Sequence, residues 1–89
     1  MNKNSNIGFI GLGNMGQPIL DNLNRKFTNI FCFDKDTLKI KNNNYSSSLD
    51  KIFKNCKIIF FCIESNKQII DIIKKNDIQK NTIIIDLTS

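Results

Sequence analysis

Residues 6–20 read NIGFIGLGNMGQPIL and place three of the chain's four glycines, Gly11, Gly13 and Gly16, within six positions. Before them lies an apolar run, residues 7–11 (IGFIG), that suits a buried strand closed by glycine. After them the period changes. Met15, Ile19, Leu20, Leu23 and Phe27 recur at helical spacing, while Gln17, Asp21, Asn22 and Arg25 take the other side. Pro18 is tolerated in a first turn, so a helix is expected from Asn14 or Met15 to about Lys26. Glycine loses more conformational freedom on folding than any other residue, so a cluster at a strand-to-helix junction has a backbone reason.

Working outward, residues 29–34 (NIFCFD) form a second apolar run that stops at an acid. Residues 35–44 are polar and weakly periodic, a short poor helix or a loop, and YSSS (45–48) suits a very short strand. Ser48 then caps one or two helical turns carrying Leu49, Ile52 and Phe53. Residues 57–63 (KIIFFCI) are continuously apolar, as in a parallel strand covered on both faces. Ile69, Ile70, Ile72 and Ile73 give residues 66–76 a helical stripe with Asn66 as cap, and residues 82–87 (TIIIDL) close the series as a strand. Strands separated by helical segments imply parallel pairing through right-handed crossovers. The expected fold is α/β: the front half of a Rossmann-type doubly wound parallel sheet, about five strands with helices on both faces. The 89 residues allow one small domain, 1–89, with a thin core.

Composition narrows the function. The chain is 40% apolar and 24% charged, with a net charge of +5. The excess is lysine, scattered among Asp and Asn, in a chain dominated by Lys, Asn and Ile, whose codons are all AT-rich. No run resembles a basic arm, so nucleic acid is not an expected partner. No apolar stretch approaches the roughly 20 residues of a membrane span, and MNKNSN carries no targeting pattern. Cys32, Cys56 and Cys62 are odd in number, form no CxxC, and read as core thiols of a reduced, cytoplasmic protein. With no histidine, neither a metal site nor a nucleophile–base pair is expected. Glu64, the only glutamate, reads as a solvated loop acid.

In a strand–turn–helix unit the glycines acquire a mechanism. Gly11 permits the tight turn, Gly13 clears space for a pyrophosphate, and Gly16 lets the helix approach the strands. The helix N-terminus offers free N–H groups to the phosphates. Asp34, closing the second strand 18 residues beyond Gly16, can accept hydrogen bonds from ribose hydroxyls and repel a 2′-phosphate. NAD is therefore expected over NADP, although Lys35 next door can partly neutralise Asp34. Without a ligand, the same residues would be a tight turn and a solvated cap.

These stretches resemble the β-hydroxyacid dehydrogenases, the family of 3-hydroxyisobutyrate and 6-phosphogluconate dehydrogenases. IGFIGLGNMGQPILDNL looks like their opening and IFCFDKD like their second strand and cofactor-selecting turn. SSSLDKIFKNCKIIFFCI resembles their serine-led helix and fourth strand, and NTIIIDLTS the strand before a D-x-S-T segment. The resemblance implies that Gly11, Leu12, Gly13, Asn14, Met15 and Gly16 bind the pyrophosphate, that Asp34 binds the ribose, and that Ser89, beside Thr88, sits near the nicotinamide. Phe33-Asp34 stands where 6-phosphogluconate enzymes have Asn-Arg, which points to the 3-hydroxyisobutyrate branch. Ile63-Glu64 replaces that family's Leu-Pro. Its catalytic lysine and helical substrate domain have no counterpart in this sequence, so no catalytic residue is assigned. The expectation is a truncated cofactor domain of a 3-hydroxyacid dehydrogenase with little turnover of its own. Its uncovered sheet flank would favour self-association. A non-catalytic nucleotide-binding module, a degenerate remnant and a pyrroline-5-carboxylate reductase-like start remain alternatives.

Overall fold

Four parallel strands lie side by side in the order β2-β1-β3-β4. The computed structural model describes residues 2–36, 38, 40, 47–63 and 65–87. Along the chain run β1 (Asn6–Ile10), α1 (Gly13–Asn24), β2 (Asn29–Phe33), α2 (Leu49–Asn55), β3 (Ile58–Phe61), α3 (Asn66–Lys75) and β4 (Ile83–Asp86). β1 is flanked on both sides: Phe9 stands opposite Cys32 of β2 and opposite Phe60 of β3.

Strand alternation sorts the side chains into two cores. Ile7 and Phe9 of β1, Ile30 and Cys32 of β2 and Phe60 of β3 pack with Leu20 and Leu23 of α1. Ile10, Phe31, Phe33, Ile59 and Phe61 face the other way and pack with Ile52 and Phe53 of α2 and Ile69 of α3. Helices therefore cover both faces, as the sequence implies. The fully buried Phe and Ile side chains, such as Phe9, Ile10 and Phe61, contribute about 1.5–3 kcal/mol each. Phe9 and Phe60 add a stacked pair with ring centroids 6.0 Å apart.

The structure differs from the sequence-based expectation at several points. There are four strands among the described residues, not about five. At residues 45–48 the structure describes only Ser47 and Ser48, and neither is in a strand; Ser47 N–H donates to the Cys32 carbonyl on the β2 edge at 2.8 Å. Helix α1 starts at Gly13, which puts Pro18 in the second turn. The N–H that proline lacks would have paired one turn back, and the helix continues past that single missing bond. The cap of α3 is Ser65, not Asn66: Ser65 is extended and its hydroxyl accepts from Gln68 N–H at 3.3 Å. Ser48 caps α2 as expected, accepting from Lys51 N–H at 3.2 Å.

The topology also decides where a ligand fits. From β1 the chain crosses to β2 on one side; from β3 it crosses to β4 on the other. The loops after β1 and β3 thus diverge, leaving a crevice at their carboxyl ends.

Candidate functional site

The crevice starts at Gly11, whose φ of +85° lies in the left-handed region. A side chain there would run into Ile63 Cγ2 and come within 2.6 Å of the Cys62 carbonyl oxygen. The glycine is thus required by the neighbouring β3 exit as well as by the turn. Gly16 answers a different need. A Cβ there would lie 3.3 Å from the Gly11 carbonyl oxygen and 3.6 Å from Cys62 Sγ, so α1 sits close over the turn. Gly13, Asn14 and Met15 form the first backbone turn of α1. Leu12 supplies no side-chain cap and the first turn of α1 holds no acid of its own, and a helix N-terminus of that kind favours an anion.

Asp34 lies at the tip of β2 and faces this turn. Leu12 N–H donates to its Oδ2 at 2.7 Å, and Asp36 N–H donates to its Oδ1 at 2.8 Å. Asp36 repeats the arrangement, accepting from Leu38 N–H at 3.1 Å. The D-x-D spacing thus builds two successive Asx turns that shape the exit from β2. Leu12 itself is 1% exposed and belongs to the core around α1. Its amide is engaged by Asp34.

A cleft of about 490 Å³ opens beside this turn. Gly11, Asp34, Lys35 and Asp36 line one wall; Gln68, Asp71, Ile72 and Lys75 of α3 line the other. Leu49, Cys62 and Ile63 lie between them. An apolar floor rimmed by polar and charged groups suits a nucleoside. A glycine turn and a fixed carboxylate lining one cleft, with the start of α1 following the turn, fit a dinucleotide.

The cysteines do other work. All three are free and buried. Burial pushes the Cys32 thiol up to about 12, reinforced by the Asp34 charge, and burial alone does the same for Cys56. Burial also raises Cys62. Protonated thiols are poor nucleophiles, so these side chains act as apolar filling. Among the described residues no cluster could hold a metal ion, and no helix is long and apolar enough to cross a membrane.

The family model for the NAD binding domain of 6-phosphogluconate dehydrogenase matches residues 6–89. The chain belongs to this family. Searches of curated proteins and of solved structures found no match.

Within this NAD-binding domain the structure brings Gly11, Leu12, Gly16 and Asp34 together around one turn, with Gly13, Asn14 and Met15 opening the adjoining helix. Ser89, Thr88 and Glu64 lie outside the described residues. Sequence reasoning missed three features. The α3 wall of the cleft carries no motif. Asp36 was legible in principle, because D-x-D at a strand end is an Asx-turn pattern. Gly8 was overlooked inside β1: a Cβ there would stand 2.6 Å from Ile52 Cγ2, so this glycine lets α2 approach the sheet.

Proposed function

We propose that this chain, as one domain, binds NAD in preference to NADP and serves as the cofactor half of a 3-hydroxyacid dehydrogenase acting on the CH–OH group of a small 3-hydroxy acid. The carrying observation is Asp34, fixed at the end of β2 against the glycine turn and lining the cleft. A carboxylate there accepts from ribose hydroxyls and repels a 2′-phosphate. Lys35 softens that repulsion without removing it. The first turn of α1, from Gly13 through Asn14 and Met15, supplies backbone N–H groups for the pyrophosphate. When bound, the dinucleotide supplies two-electron redox chemistry. The domain's own residues bind and orient it. None of them is assigned to proton transfer, so the chain by itself has little or no turnover; lack of a positioned acid or base typically costs about 10²–10⁴-fold. Free, buried thiols suit a reducing cytoplasm.

Calorimetric titration with NAD and NADP tests the reading. NAD is expected to bind at least about tenfold tighter, roughly 1.4 kcal/mol. Gly13→Val should abolish saturable binding. Failure of both cofactors to bind the wild-type chain would favour a degenerate remnant, and tighter NADP binding would reverse the assignment of Asp34.

A further inference from the structure

We propose that Asp34 is a positioning residue for the glycine turn, supporting diphosphate binding itself beyond any contact with a ribose. This inference rests on the dinucleotide-binding reading above. Two consecutive amides after β1 cross to Phe33, the last residue of β2, and to Asp34 just beyond it. Gly11 N–H donates to the Phe33 carbonyl at 2.7 Å, and Leu12 N–H donates to the Asp34 carboxylate at 2.7 Å. The carboxylate thereby carries the β1–β2 connection one residue past the strands. Leu12 precedes α1, so its amide has no acceptor within the helix. Its side chain is anchored in the core, so the residue cannot rotate to offer the amide to water. A charged acceptor makes this bond stronger than a neutral one. The other carboxylate oxygen is held by Asp36 N–H, which fixes the orientation of the group. Removing Asp34 would free the turn between Gly11 and the start of α1, and with it the aim of the first-turn amides.

The two roles of Asp34 differ in sign for a ligand with no ribose. A carboxylate that only contacts sugar repels inorganic pyrophosphate, so its loss would leave that affinity unchanged or raise it. A carboxylate that holds the turn predicts a fall. Wild-type, Asp34→Ala and Asp34→Asn chains are titrated with pyrophosphate and with NAD, following the first-turn amides of α1 by NMR. Hydrogen exchange of the Leu12 amide is measured in each. Asp34→Ala should weaken pyrophosphate at least tenfold and leave the Leu12 amide in fast exchange. Asp34→Asn, whose carboxamide oxygen can still accept from Leu12, should keep pyrophosphate within about threefold and the amide protected. Equal or tighter pyrophosphate binding by Asp34→Ala overturns the proposal, as does wild type that binds NAD but not pyrophosphate. If Asp34→Ala does not fold, fast exchange at Leu12 in the wild type overturns it alone. Wild type that binds neither ligand sinks the functional reading instead, and Leu12 exchange then judges the positioning role by itself.

Discussion

Gly8, Gly11 and Gly16 should respond differently to one added methyl. At Gly11, alanine meets a φ of +85° and the Cys62 carbonyl at 2.6 Å. Left-handed strain and overpacking together predict a loss of about 2–5 kcal/mol. Gly8→Ala presses on buried Ile52 and should cost about 1–3 kcal/mol. Gly16→Ala meets its nearest atom at 3.3 Å and gains helix propensity, so it should stay within about 1 kcal/mol of wild type. Urea unfolding midpoints rank the three. The thiols add a pH signature. Cys32 and Cys56 ionise near 9.0 when unfolded but only near 12 when folded. Above about pH 9 the unfolded state therefore binds fewer protons, and stability falls as pH rises toward 12. Below pH 9 these groups are protonated in both states and give no slope. Cys32→Val should flatten the alkaline limb in pH-dependent denaturation. At this scale the sequence was legible where a residue type has one use. Gly11 at a strand end reads plainly, whereas a glycine inside a strand, such as Gly8, has several meanings that only the opposing helix resolves.

Among the elements, the hydrophobic periods of β1, α1, α2, β3 and α3 were strong enough to place each within a few residues. Their ends were harder, because caps depend on which of several neighbouring polar residues takes the extended conformation. At α3 it is Ser65 with φ −142° and ψ 146°, not Asn66 beside it. Ser65→Ala should lower stability by about 1 kcal/mol, while Asn66→Ala should have little effect. Thermal melts of the two variants make the comparison. A fifth strand is expected at residues 45–48, of which Tyr45 and Ser46 lie outside the described residues; among the described residues four strands are found, and Ser47 makes one bond to the β2 edge. Gln79 is a further tie that no pattern announces. Its side-chain amide donates to the carbonyls of Phe53 and Lys54, closing the carboxyl end of α2 from the approach to β4.

For the molecule as a whole, the two cores are complete around β1 and thin toward β4. Ile83 is 56% exposed, Ile84 36% and Ile70 of α3 50%. Apolar side chains on an edge strand favour pairing with another chain. Concentration-dependent association is therefore expected in sedimentation equilibrium, and Ile83→Lys with Ile84→Lys should reduce it. A wild-type chain that stays monomeric at high concentration would contradict this. The parallel layering was legible from the alternation of strands and helices. The α3 wall of the cleft was not, because its polar residues become neighbours of Asp34 only once β3 has inserted beside β1.

That insertion sets the order of assembly. β1 precedes both strands that flank it, and its ladder partners reach as far along the chain as Phe61. Among the described residues every pairing is parallel, and each needs a long connection to close. While a ribosome is still making the segment up to Phe61, β1 lacks the β3 neighbour that completes its second edge. The nascent chain is thus vulnerable at the centre of its future sheet, and holding by a chaperone would matter most during that interval.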